Sequence, residues 1–225
     1  MSNYGPYSFS RLNTHAKCPR RFRYQYIDRV KREPTDMTAL LKGGALHSIL
    51  ENYPTRSTHK LAPRYQAIAD AFTGSVLGRK YLGYQSMREI RFGMDGDLAP
   101  CEYGAPTAIF RGFIDYTCVI DGVLHLLDWK SGKLKDQKYQ HFEQLMFYAI
   151  YFFQKYPALD KINIGYVYIE HAGCENSLLL ERQYLPNYVE QLRGMIRAAE
   201  NDTTFIKNPS RLCDWCPYQR HCGET

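Results

Sequence analysis

No run in this 225-residue sequence approaches the roughly 18 consecutive apolar residues that a membrane-spanning helix requires. The first residues, MSNYGPYSFS, carry neither a basic stretch nor an apolar core, so no secretory leader is legible and a cytoplasmic setting is the expectation. There is no GxxxxGK(S/T) phosphate loop to suggest an ATP motor, and no internal repeat or low-complexity tract. Acidic residues are scarce near the N-terminus. Between Arg11 and Arg32 stand Arg11, Lys17, Arg20, Arg21, Arg23, Arg29, Lys31 and Arg32 against one acid, Asp28, with Phe22, Tyr24 and Tyr26 interleaved.

That stretch reads either as a surface that follows phosphates and offers rings for stacking, or as a solvated helix face. The net charge of +6 and a pI near 8.9 suit a polyanionic partner. The length suffices for one substantial domain with a real core.

Asp121-Gly122 lies between two apolar runs, a strong hairpin signal because a two-residue type I′ turn needs positive φ at both central positions. Residues Thr107–Ile120 and Val123–Ser131 are therefore expected to pair. Counting outward from Ile120 opposite Val123 sets Asp115 opposite Asp128. Directly opposed side chains have Cβ atoms roughly 4.5–5.5 Å apart, where two carboxylates repel unless a cation neutralises them. Period two in a strand places Lys130 on the face of Asp128.

A hard cation held by carboxylates, with positions left for water and phosphate, suits Mg²⁺ or Mn²⁺, and the implied chemistry is phosphodiester hydrolysis. The competing reading is an ordinary Asp/Lys pair on a solvated face. Against it, Leu124, Leu126 and Leu127 do not alternate, so the strand reads as buried on both faces.

Seven cysteines, an odd number, argue against a full disulfide framework. Three form Cys213-x2-Cys216-x5-Cys222, and Cys18 is the expected fourth ligand. Four thiolates hold either a 4Fe–4S cluster or a zinc ion, between which spacing does not choose. His221 is the weaker candidate ligand. Cys101, Cys118 and Cys174 fall in or beside strand-like segments.

Among the remaining elements, Ser10 is expected to cap a helix from Arg11 to Asp28, with a break near Cys18-Pro19. Helices are expected over Thr38–Asn52, Leu61–Gly78, Tyr139–Tyr156 and Asn187–Glu200. Strands are expected over Met87–Phe92, Ile162–His171 and Ser177–Tyr184. His47 and Glu51 stand one turn apart on their helix, so His47 is either a metal ligand or a core histidine. Glu89 either supports the metal from outside or forms a salt bridge. Gln144 and Tyr148, four apart, would contact DNA backbone or brace Lys130.

Taken together, Gly44-Ala45-Leu46-His47, Gly112-Phe113-Ile114-Asp115, Asp128-Trp129-Lys130 and Gln144-x3-Tyr148, bracketed by Cys18 and the C-terminal cysteines, resemble the PD-(D/E)XK nuclease superfamily. The closest pattern is its RecB-like branch with an iron–sulfur cluster, which holds the CRISPR adaptation nuclease of the fourth Cas type, AddB and phage exonucleases. The resemblance runs from about Ser8 to Cys222. It implies an α/β restriction-endonuclease-like core, a mixed sheet flanked by helices, with N- and C-terminal segments joined at a cluster.

In domain terms it implies a single nuclease domain over 1–225, with 38–200 as the core and 8–30 with 201–225 as the cluster-binding region. His47, Asp115, Asp128 and the Trp129 carbonyl would bind Mg²⁺ or Mn²⁺, with Asp115, Asp128 and Lys130 catalytic. Cys18, Cys213, Cys216 and Cys222 would bind the 4Fe–4S cluster in preference to zinc. Gln144, Tyr148, Arg20, Arg21 and Arg23 would meet DNA with single-stranded or free ends. A bacterial, archaeal or phage-infected cytoplasm, a homo-oligomer, and partners in recombination or CRISPR adaptation are compatible with it. The rival readings are a non-catalytic DNA-binding module of the same fold and a dithiol redox protein using Cys213 and Cys216.

Overall fold

The computed structural model describes residues 4–34, 36–136, 140–171 and 173–223. In chain order the elements are helices α1 (Phe9–Lys17) and α2 (Pro19–Phe22), a π turn (Arg23–Ile27), then helices α3 (Thr38–Asn52), α4 (Ala62–Thr73) and α5 (Val76–Leu82). Strands β1 (Ser86–Met94), β2 (Pro100–Cys101), β3 (Phe110–Ile120) and β4 (Val123–Lys130) follow, then α6 (Glu143–Lys155), β5 (Lys161–Tyr168) and β6 (Cys174–Glu181). The chain finishes with α7 (Leu185–Asn201), a 3₁₀ turn (Arg211–Trp215) and α8 (Gln219–Gly223). The sheet is mixed, in the order β2-β1-β3-β4-β5-β6, with β4 and β5 parallel and β3–β4 and β5–β6 antiparallel. Among the described residues no helix is long and apolar enough to cross a membrane.

The chain divides into two compact units, one of residues 37–92 and 113–185 and the other of residues 1–36, 93–112 and 186–225. In the first, Ala45, Leu46, Ile49 and Leu50 give α3 one buried stripe, which joins Tyr65 and Phe72 of α4 and Tyr81 of α5. This layer closes on Tyr116 and Cys118 of β3 and Leu127 and Trp129 of β4, where the Trp129 ring meets Tyr116 and Phe72 edge-on or tilted. Strand alternation turns Leu126 and Asp128 to the opposite side of the sheet, toward α6, whose Gln144 reaches Asp128. Both sides of β4 are thus covered, and the run of leucines that fails to alternate is explained.

In the second unit, Ser8 caps α1 by accepting the Arg11 N–H, an interaction typically worth about 1 kcal/mol. The expected cap, Ser10, lies inside the helix instead. Cys18 is extended at φ −160° and ends α1, and Pro19 starts α2, so the helix expected over Arg11–Asp28 breaks at Cys18-Pro19 as expected and then runs on as α2 and a π turn. His15 bonds Asp202 at 2.9 Å and Tyr7 bonds Glu200, joining α1 to the C-terminal part of the chain.

Several boundaries differ from expectation for local reasons. The helix expected over Leu61–Gly78 breaks at Gly74-Ser75, where Gly74 terminates α4 and Ser75 caps α5 through the Gly78 N–H. Gly93 and Met94 extend β1, and the turn begins at Asp95, whose carboxylate accepts from Asp97 and Ala99. Helix α6 begins at Glu143 rather than Tyr139, which lies outside the described residues.

Candidate active site

The β3–β4 turn has Asp121 at φ 49° and Gly122 at φ 76°, the left-handed pair that a type I′ turn demands and that the Asp-Gly dipeptide tolerates. The register runs from Ile120↔Val123 to Tyr116↔Leu127, as the sequence count requires. One step further, at Asp115 and Asp128, the pairing changes character. The backbone N–H of Trp129 donates to Asp115 Oδ2 at 2.8 Å, so the carboxylate replaces a main-chain acceptor.

Helix α3 delivers His47 to the same place. Its Nε2 lies 2.8 Å from the Trp129 carbonyl and its Nδ1 3.5 Å from Asp115 Oδ2. Close approach of the helix is possible because residue 43 is glycine: a Cβ there would come 3.1 Å from Ser131 Oγ. Arg88 of β1 donates to the carbonyls of Leu50, Glu51 and Tyr53 at the end of α3, tying strand and helix together.

The next residue, Glu89, sits at φ 49°, a conformation costly for a non-glycine residue and frequent at functional sites. Ligand atoms of His47, Glu89 and Asp115 lie within 4.8 Å of one another, the one such trio of possible metal-binding side chains among the described residues. The sequence pattern gave Glu89 at most a supporting role, whereas the structure sets it beside the two expected ligands.

Asp128 faces Lys130 instead, with Nζ 2.6 Å from Oδ2, and Gln144 Nε2 approaches Oδ1 at 3.4 Å. Gln144 also reaches the Tyr148 hydroxyl at 3.3 Å, and the Tyr148 ring stands edge-on to Phe92. Gln144 thus links the Asp128 carboxylate to the Tyr148 hydroxyl. Lys130 Nζ lies 4.7 Å from the centre of the Tyr166 ring. A cleft of about 510 Å³ is bordered by His47, Glu51, Glu89, Asp128 and Lys130, with Leu40 and Gly44 along α3.

The electrostatics follow from crowding three acids in a half-buried place. Burial raises the Asp128 pKa and the Asp115 charge raises it further, opposed by Lys130 and His47. Glu89 is raised by burial and then by Asp115 and Glu51. Burial disfavours a charged His47, but Asp115, Asp128 and the Trp129 carbonyl outweigh it and lift the imidazole to about 9. With acceptors at both nitrogens, the doubly protonated ring is the form that satisfies the site.

The family profile of the PD-(D/E)XK nuclease superfamily matches residues 6–223. The chain belongs to that superfamily. A provisionally named exonuclease from Eubacterium rectale shares the fold at a TM-score of 0.54 and 15% identity, covering 95% of this chain and 93% of its own. SSO0001 aligns over 99% of this chain and 88% of its own at 13% identity, with a TM-score of 0.42. No curated protein matches the chain.

This PD-(D/E)XK chain brings its four expected cysteines to one cavity of about 280 Å³, bordered by Cys18, Cys213, Cys216 and Cys222 with Arg20, Arg21, Tyr24 and Tyr218. Cys18 leads into α2, Cys213 lies on the 3₁₀ turn, and Cys216 is the extended C-cap of that turn, its N–H donating to the Cys213 carbonyl. His221 stands against the Tyr24 ring and is not among the residues bordering the cavity. Cys118 is buried in the core of the other unit, where burial pushes its thiol up to about 11, and Cys174 is exposed. Of the three arginines expected at DNA, Arg20 donates to the Phe205 carbonyl, Arg21 borders the cavity, and Arg23 pairs with Asp28 at 3.1 Å.

Proposed function

We propose that this PD-(D/E)XK protein is a Mg²⁺- or Mn²⁺-dependent deoxyribonuclease of the RecB-like branch, acting as an exonuclease on single-stranded or frayed DNA ends. The observation that carries the reading is the meeting of His47, Glu89 and Asp115 beside the Asp128–Lys130 ion pair. Three oxygen- or nitrogen-bearing ligands, a neighbouring buried carboxylate and the Trp129 carbonyl make a donor set suited to a hard divalent cation. Such a cation, when bound, supplies Lewis-acid stabilisation of phosphoryl charge and a more acidic water.

The protein side of the chemistry is positional. Lys130 stands 2.6 Å from Asp128 and offers a positive charge to a phosphoryl oxygen in the cleft. Gln144 and Tyr148 keep the Asp128 carboxylate from turning away. The Trp129 N–H orients Asp115. The exonuclease name borne by the fold neighbour from Eubacterium rectale is in keeping with this reading.

The cysteine cavity is read as the seat of a structural 4Fe–4S cluster. The choice of cluster over zinc rests on the resemblance of Cys18 and Cys213-x2-Cys216-x5-Cys222 to the iron–sulfur branch of the superfamily. The cluster would fasten Cys18 to the C-terminal segment, with Arg20 and Arg21 beside its thiolates.

The test is anaerobically purified protein incubated with end-labelled single- and double-stranded DNA, with and without Mn²⁺. Release of labelled mononucleotides only with metal is expected. DNA held intact at all metal concentrations would overturn the reading.

A further inference from the structure

Trp215 is 74% exposed, and its two neighbours in the sequence of the cysteine turn explain why. Cys213, on the 3₁₀ turn, and Cys216, its extended C-cap, both border the cavity. Trp215 ends the turn two positions after Cys213, so it is rotated from it by about a third of a turn, and its indole faces solvent. Leu212 stands three residues before it on the same turn and so shares its face, with Arg211 next to Leu212. Ile206 and Leu212 are 66% and 53% exposed. Arg21, Lys207 and Arg211 make no ion pair with any carboxylate among the described residues. Arg21 and Leu212 border one small recess with Cys213 and Cys216, and the nearest acid in the chain is Asp214.

We propose that Trp215 is a base-stacking residue, and that the outer face of the cysteine turn binds an unpaired stretch of nucleic acid, with the indole on a base and Arg21, Lys207 and Arg211 along the phosphates. The inference rests on the DNA-processing reading above and adds a contact outside the cleft. A protein interface of this composition would be unusual, since interface cores are depleted of charge, whereas an exposed ring among unpaired cations matches what single strands require.

The experiment is fluorescence anisotropy of a dye-labelled oligothymidylate, in buffer without added divalent cation, over a range of salt concentrations. Trp215→Ala is expected to weaken binding on the order of tenfold with the salt slope unchanged, and Trp215→Phe to retain most affinity. Arg21→Ala should instead flatten the salt slope by about one. Wild-type affinity in Trp215→Ala, equal affinity in Trp215→Leu and Trp215→Phe, or a loss that follows self-association in sedimentation would each overturn the proposal. An oligonucleotide left uncut in Mn²⁺ yet held through Trp215 would end the nuclease reading alone. Cleavage with no effect of Trp215→Ala on binding would end this one alone.

Discussion

The Trp129 N–H and the Asp115 carboxylate are bonded at 2.8 Å, so the residue between Asp128 and Lys130 fixes the acid on the opposite strand. One face of the Trp129 peptide orients Asp115 and its carbonyl meets His47, while the indole is sealed in the core against Tyr116 and Phe72. The polar cleft is therefore held from beneath by hydrophobic packing.

Replacement of Asp115, Asp128 or Lys130 by alanine should lower DNA cleavage on the order of 10²–10³-fold in each case, the usual cost of one preorganised electrostatic contact. DNA retention in filter-binding assays is expected to persist. Full cleavage by Asp128→Ala would remove the proposed site.

Glu89→Gln keeps the size of the side chain but removes its charge from the trio with His47 and Asp115. The Mn²⁺ concentration for half-maximal cleavage is expected to rise, with the melting temperature in chelator unchanged or higher because Glu89 no longer faces Asp115 and Glu51. An unaltered metal titration would place Glu89 outside the binding set.

His47 has a folded-state pKa lifted from 6.5 to about 9, so its charged form stabilises the metal-free fold. That contribution is complete below 6.5 and is lost as pH rises through about 9. Melting curves in EDTA should therefore show wild type above His47→Gln at pH 6, with the gap closing by pH 10, both values chosen to bracket this window roughly. A gap that widens with pH would contradict the assignment.

Cys18→Ser or Cys213→Ser should lose visible absorbance and bound iron in anaerobic preparations, whereas Cys174→Ser, exposed and remote in sequence, should keep both. Zinc found at one ion per chain in place of iron would refute the cluster.

Gly78→Ala tests the α4–α5 corner, since a Cβ would stand 2.0 Å from the Phe72 carbonyl oxygen. Backbone must shift to admit it, and a loss on the order of 1–3 kcal/mol in chemical denaturation is expected. No loss would mean that the corner yields to a Cβ without cost.

Where chemistry is local, the sequence could be read directly. Asp121-Gly122 encodes its own turn, and the turn propagates register as far as Tyr116 and Leu127, one step short of Asp115 and Asp128. The Thr38–Asn52 helix ended where expected because its apolar stripe, Ala45 to Leu50, is continuous. Two serines near the N-terminus, Ser8 and Ser10, offer the same capping chemistry, and only the chain's approach to α1 selects Ser8.

Glu89 was the hardest residue to read. Arg88-Glu89-Ile90 looks like an ordinary strand, and nothing in it announces the left-handed backbone that accompanies its place beside His47. The constraint comes from far along the chain, through Arg88 and the end of α3. The Gly74-Ser75 break, by contrast, carried a visible stop-and-start pair that the continuous apolar spacing masked.

The cysteine cavity takes one wall from residues 18–24 and the other from residues 207–223. During synthesis its first thiol leaves the ribosome long before the last three, so a prematurely terminated chain owns half a pocket and no means of closing it. Closure of that pocket therefore depends on contacts between residues almost the whole chain apart.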